Sequence, residues 1–458
     1  MSSSETYHLV FIAANIACVG FFAVRKKVDP LLVGLLASLI YFSPGLIGEI
    51  SFSYGAPAGT YRSTIMPGSY IAMLIVLGSI TFAAALFDRC NVPKNSTIHV
   101  NLPFLSHILA GLALVSLIIS VSTVGKGYLC TEKTDVLARI DGWYYIAAYA
   151  APLAFACGLA VRAWGVVVLS SFILLADIFV GFRAGVSVAL ISFGLLSGHW
   201  LRQGVRKKII FLFIVLSAGA GLFVIKQLAW NIKYAASVPC EKLTADAWPA
   251  VQHEVNAENT NVDAMPIHVR SEQFLRLAAL LTEAKTYVAA FRYAEPMVTQ
   301  SILNEVVRSG FQTPPGYVLD HILSAVPGGR TLFGIDVSQT PTFNETFQKI
   351  LFPLATFGMA SNPWAQAYSA GGYAMVGFFS LVYSVLLVVF TILFARFDGP
   401  IRGSVAVLSG WWGFYAHRND VLIEFGIIKM VVYIFVVASL ISVGLMFAKR
   451  KFFRSENR

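Results

Sequence analysis

Long apolar stretches alternate along the chain with short polar breaks, and the breaks carry a sign. The stretches lie at 7–24, 31–48, 68–87, 103–122, 143–161, 164–182, 184–200, 209–225, 370–394, 403–416 and 421–447. Each is long enough, or nearly so, to cross a bilayer as a helix. With "RKK" (25–27) set in the cytoplasm, alternation brings Arg89 and Lys94, Arg162, "RQGVRKK" (202–208), Arg396 and Arg402, and the tail "KRKFFR" to that same side. Basic residues concentrated in the inner loops are the expected signature of membrane topology. The pattern predicts about eleven helices, with the amino terminus outside and the carboxyl terminus inside. The first stretch lacks a basic leader and is followed by "RKK", so it predicts a retained helix and not a cleaved signal peptide.

Composition agrees with the pattern. Of 458 residues, 57% are hydrophobic and 13% charged, against about half apolar and a quarter charged in soluble domains. The net charge of +10 is accounted for by the inner loops and gives no reason to expect nucleic acid as a partner; the expected surroundings are a lipid bilayer. The prediction is an all-α polytopic integral membrane protein.

The predicted outer loops are 44–67, 123–142, the turn at Arg183, 226–369 and 417–420. The segment 226–369 holds ten Lys/Arg and twelve Asp/Glu, nearly neutral where the inner loops are basic, and is too long for a simple connection. The chain thus divides into 1–225 (helices 1–8), 226–369 (one large helical outer domain) and 370–458 (helices 9–11 and a basic tail). Within the outer domain, Phe274, Leu277, Leu281, Ala284, Val288 and Phe291 fall on one face of a helix over 271–293. A second helix runs from Pro296 to about Arg308 and is broken by "QTPPGY" (312–317). Cys18 and Cys157 lie in helices and Cys90 faces the cytoplasm. Cys130 and Cys240 are both outside, where a disulfide and two separate thiols fit equally.

Candidate chemistry collects at the outer ends of the helices. Arg183 interrupts two apolar runs in "VGFRAG" (180–185); it either snorkels to fix helix depth or binds an anion. The last outer turn, "YAHRNDVLIEF" (415–425), carries His417, Arg418, Asp420 and Glu424, the two carboxylates one helical turn apart. Arg270, Arg276, Arg292 and Arg330 come from the large loop; Arg276 and Arg292 also suit a solvated helix face. His321 and His417 are base candidates by residue type, although isolated histidines are more often structural. Guanidinium groups gathered at one membrane level would bind a diphosphate without a metal ion, because the planar fork matches two phosphate oxygens. No Cys/His spacing resembles a metal site, and no cofactor is expected.

The order of these features resembles the bacterial O-antigen polymerase family. The resemblance rests on "VGFRAG" (180–185), "HVRSEQFLRL" (268–277), "YVLDHILSAVPGGRTLFG" (317–334), "GMASNPWAQAYSAGGYAMVGFFS" (358–380) and "AHRND" (416–420), in that order on the expected topology. Arg330 follows Pro327 by three residues where relatives have proline and arginine adjacent. Ser361 and Asn362 stand where the related ligases carry a histidine. The resemblance implies a GT-C-like fold in the bacterial inner membrane with the large loop in the periplasm. It implies a metal-independent glycosyltransferase that joins undecaprenyl-diphosphate-linked oligosaccharide repeat units, which serve as both donor and acceptor. Arg183, Arg270, Arg330 and Arg418 would hold the diphosphate, with His321, His417, Asp420 or Glu424 as base or orienting group. Arg276, Arg292, Asn362, Trp364 and Tyr368 would line the substrate path, the aromatics stacking on sugars. A polysaccharide chain-length regulator is a further implied partner. The alternatives are an O-antigen ligase acting on lipid A-core and, behind it, a lipid-linked oligosaccharide flippase.

Overall fold

The computed structural model describes residues 3–25, 27–55, 59–90, 98–100, 102–129, 136, 139–198, 295–325, 329–335, 341–355 and 358–456. The 209–225 stretch, the 271–293 helix, Arg270, Arg276, Arg292, Cys130 and Cys240 lie outside the described residues.

The described chain is mostly helical. Helices α1 (Ser3–Arg25), α2 (Pro30–Tyr41), α3 (Ser43–Ile47), α4 (Pro67–Arg89), α5 (Leu105–Val124), α6 (Gly142–Ala160), α7 (Trp164–Val180) and α8 (Ala184–Leu196) come first. They are followed by α9 (Glu295–Ser309), α10 (Gly316–Ala325), α11 (Gly329–Leu332), α12 (Phe343–Leu351), α13 (Pro363–Arg396), α14 (Gly399–Gly410) and α15 (Val421–Glu456). Among the described residues, six helices are long and apolar enough to cross a membrane: α1, α4, α5, α6, α13 and α15. Three apolar helices are shorter, α2, most of α7, and α8.

Three local differences from the sequence expectation have clear causes. The 31–48 stretch is divided, because Pro44 lacks an N–H and a new short helix starts around it. The 403–416 stretch begins earlier, at Gly399 behind the Asp398 cap, and closes as a π turn over Trp411–Tyr415. In the outer loop 44–67, an antiparallel hairpin pairs β1 (Glu49–Gly55) with β2 (Gly59–Thr64), with Phe52 opposite Tyr61. This hairpin departs from an all-α fold: alternate side chains, Ile50, Phe52 and Tyr61 among them, pack into the core while their neighbours stay out.

Two apolar cores run side by side. One gathers residues of α1, α2, α4, α13, the hairpin and α9 around Phe11, Tyr70 and Trp364; the other joins α5, α6, α7, α8, α14 and α15. Close helix approach needs small residues, and at Gly403 of α14 an added Cβ would meet the Ala156 carbonyl oxygen at 2.7 Å. Helix α13 is broken at Gly371–Gly372, where Gly372 takes φ +61 and ψ −149, a combination open essentially only to glycine.

Helix α2 joins two polar ends, with Asp29 capping its start and Tyr41 at its end stacked on His417. At one, Arg25 donates from Nε to Asp88 Oδ2 (2.8 Å) and from Nη1 and Nη2 to the Asp29 carboxylate (2.8 and 2.6 Å). Asp29 also caps α2 through Leu32 N, so a single network ties α1, α2 and α4. At the opposite end are the hairpin, α9 to α12, the Gly181–Arg183 turn and the 416–420 turn.

Candidate functional site

Two turns remote in sequence build the site. Helix α7 ends on Gly181 in the left-handed conformation (φ 105), whose N–H donates to Ile178 O (2.9 Å). This glycine cap reverses the chain within three residues and makes Arg183 the N-cap of α8. Arg183 is half-buried. The second turn follows the π segment, and π turns recur at functional sites because they displace side chains from the ordinary helical register. Arg418 leaves it with its backbone N–H on Tyr415 O (3.0 Å) and its guanidinium carbon 5.5 Å from the Tyr415 ring centre. The phenols of Tyr41 and Tyr415 both lie within electrostatic reach of Arg183, Arg418 and Glu295. Arg183 and Arg418 thus lie within charge–charge range of the same two tyrosines, and Arg418 stands against one of them.

Arg418 has an acidic neighbour that its sequence surroundings do not announce. Glu295, at the start of α9, brings Oε1 to 2.6 Å from Arg418 Nε, with side chains 26% and 31% exposed. Neither atom has an aligned hydrogen-bond partner, so the contact is an ion pair without the directed N–H···O geometry of the Arg25 network. Glu424 lies buried beneath it; its Oε2 accepts from Asn419 Nδ2 (2.8 Å), while its Oε1 has no protein donor.

The turn bearing Arg418 is held by buried polar groups. Trp364 Nε1 donates to His417 Nδ1 (3.0 Å), and Nε2 of the ring lies 3.2 Å from Ser38 Oγ and 3.3 Å from the Tyr383 hydroxyl. Tyr41 stacks on the imidazole at 5.6 Å and 9°. With Nδ1 accepting, the neutral ring carries its proton on Nε2; burial pushes the pKa down to about 3. Both nitrogens are occupied inside a closed aromatic cage, so His417 is an anchor for the turn and not the open base that the sequence allowed.

His321 is similar. Gln366 Nε2 donates to its Nδ1 (2.8 Å), while Gln366 Oε1 accepts from Val421 N (2.9 Å). The ring is fully buried against Tyr317, and burial lowers its pKa to about 4. Asp420 caps α15 by accepting from Ile423 N (2.7 Å) and binds α12 by accepting from Phe343 N (3.1 Å). Burial raises its pKa to about 6 against those two donors.

The proposed sugar-facing residues divide. Trp364 is fully buried with its N–H spent on His417, and so has no face for a sugar ring. Asn362 is fully buried too: it caps α13 through Trp364 N and Ala365 N and donates to Thr299 O (2.8 Å). Both side chains serve the packing of this structure. Tyr368 is half-buried, edge-on to Tyr373 at 5.1 Å. Arg330 stands exposed on α11 and makes no contact with Arg183 or Arg418.

Helix α9 seats Glu295. Asn304 Oδ1 accepts from Met66 N (2.8 Å) and Ser69 Oγ (3.0 Å), and its Nδ2 donates to Ser63 Oγ and Thr64 O. Glu305, buried, accepts from the Tyr61 hydroxyl and from Arg308. A mostly polar helix is thus locked onto the hairpin by hydrogen bonds, as burial of polar groups requires.

Sequence reasoning missed Glu295, Tyr41 and Tyr415. A signal existed only for Tyr415, in the "WWGFYAHRND" run; Glu295 is one acid among twelve in its segment. Among the described residues, no group of three or more His, Cys, Asp or Glu is placed to hold a metal ion. No family model matches the chain, and neither a curated protein nor a solved structure does.

Proposed function

We propose that this chain is an O-antigen polymerase of the bacterial inner membrane, with a GT-C-like arrangement of about eleven spans and its Arg418 end in the periplasm. It joins undecaprenyl-diphosphate-linked oligosaccharide units. Arg183 and Arg418 bind the lipid diphosphate and carry its growing negative charge as it leaves the anomeric carbon. The observation that supports this most is that those two arginines, 235 positions apart in the sequence, both lie within electrostatic reach of Tyr41 and Tyr415 in a mostly apolar, helical chain. A guanidinium that only fixed helix depth would need no second one at its level. With His417, His321 and Glu424 all enclosed, Glu295 is the partly exposed carboxylate beside Arg418 for taking the acceptor proton.

The test is genetic. A deletion strain complemented with wild type shows a surface-polysaccharide ladder on a gel; complemented with Arg183→Ala or Arg418→Ala at equal protein level, it shows lipid A-core bearing one repeat and no ladder. Bare core in the deletion strain would indicate a ligase or a flippase and defeat the proposal.

A further inference from the structure

The Arg25 and Arg308 guanidinium groups meet their carboxylates in aligned hydrogen bonds, and the contact at the candidate site does not. The Arg418–Glu295 pair is close, 2.6 Å between Nε and Oε1, yet neither atom is aligned in a hydrogen bond, and both side chains are between a quarter and a third exposed. The side chains are partly exposed but the two contacting atoms are buried, so the pair is enclosed yet poorly directed. We infer that Glu295 is a stand-in for the substrate's phosphate at Arg418: its carboxylate occupies the guanidinium until a diphosphate displaces it, and it thereby sets diphosphate affinity. The inference rests on the diphosphate-binding reading of the same site.

Three features of the geometry favour displacement over rearrangement. The body of α9 is fixed, since Asn304, Glu305 and the Thr299 carbonyl are bonded to the hairpin and to Asn362; only the Glu295 side chain has to turn away. Glu295 lies in the first turn of a 15-residue helix, where a carboxylate is favoured whether or not Arg418 is near. Displacement also improves charge balance: Arg183 and Arg418 supply two positive charges, which a diphosphate matches more fully than one carboxylate does. Among the described residues, Arg418 would keep only the buried Glu424 as an acidic neighbour without Glu295. With it, small monoanions meet a competitor that a diphosphate outbids.

The experiment measures binding of labelled undecaprenyl diphosphate to the full-length chain in lipid nanodiscs, with undecaprenol as competitor to remove partition of the lipid tail. Glu295→Gln is expected to tighten binding about fivefold, the scale on which partly exposed ion pairs act. That gain is expected to vanish in the Glu295→Gln/Arg418→Ala double variant relative to Arg418→Ala, since a competitor matters only while its target is present. Should Glu295→Gln fold poorly, Glu295→Asp withdraws the carboxylate by one methylene and is expected to shift affinity in the same direction. Unchanged or weaker binding in the Glu295 variants, with weaker binding in Arg418→Ala, would make Glu295 a prop for Arg418 and overturn the inference while leaving the proposed function intact. Binding that is absent in wild type, or that undecaprenol competes away, would remove the diphosphate reading and the inference with it.

Discussion

Arg25 and Arg418 sit at opposite ends of the same helix bundle and are treated in opposite ways. Arg25 is 1% exposed and directs three donors at two carboxylates, one of them bidentate. Arg418 is 31% exposed and meets one carboxylate out of alignment. Both are arginines near helix ends with an acid close by, so residue type and topology do not separate them. Saturation does. An arginine whose fork is filled by its own chain is part of the frame, whereas one left short of partners has donors to offer a ligand.

The contrast can be broken most directly at Arg25. Arg25→Ala leaves Asp29 and Asp88 without their main partner and should lower stability by about 3–5 kcal/mol, read as a fall in the thermal unfolding midpoint of the purified protein. An unchanged midpoint would mean that saturation is not a mark of a structural role. Arg418→Ala should give the reverse: an unfolding midpoint close to wild type, with polymerisation of lipid-linked repeats reduced about 10²-fold. A stability loss equal to that of Arg25→Ala would erase the distinction.

The two ends should also differ in pH response, because the Arg418 turn is anchored by buried neutral groups. The pKa of His321 falls from an ordinary 6.5 to about 4 in the folded chain. Its stabilising contribution is therefore complete above pH 6.5 and is lost as pH falls toward 4. Asp420 goes the other way: its pKa rises from 3.8 to about 6, so its contribution is complete below pH 3.8 and is lost as pH rises through 6. Acidification from pH 7 to 4 should cost wild type about 2 kcal/mol more than His321→Gln, while the wild type minus Asp420→Asn difference should change with opposite sign. Denaturant unfolding at a series of pH values measures both, and parallel curves for all three proteins would refute the assignment. The smallest effect is expected at the exposed edge of the Arg25 network. Lys27 is 46% exposed beside Asp88, and Lys27→Ala should change stability by about 0.5 kcal/mol, a difference that thermal unfolding can bound.

Much of the frame was legible in the sequence because apolar length and loop charge are local signals. The stretches at 68–87, 103–122 and 143–161 correspond to α4, α5 and α6, and the helix expected from Pro296 to Arg308 is α9. Arg183 stood out as a lone charge between two apolar runs, and Arg418 as one of three ionisable groups in a four-residue turn. What stayed hidden depends on pairing across distance. Nothing in "SNPWAQ" indicates that Trp364 closes the cage on His417, 53 residues away, or that Gln366 links His321 to Val421. The hairpin went unread because "EISFSYG" and "GTYRST" alternate only over a few residues and gain their core by packing against Phe352 and α9. Glu295 had no periodicity to mark it. Its significance comes from where α9 is docked, and that is set by Asn304 and Glu305.

The break at Gly371–Gly372 bears on how such a site works inside a bilayer. Residues 373–396 alone make a helix of about 36 Å, enough to cross a hydrocarbon core of about 30 Å. The preceding two turns, from Pro363, carry Trp364 and Gln366 and belong to the wall around His417 and His321. When a membrane thickens or thins, spans respond by tilting, and the two glycines between this span and the wall give the chain a place to bend. Polymerisation measured across lipids of different acyl length is expected to stay level in wild type. Gly372→Ala, strained at φ +61, is expected to make it depend on thickness.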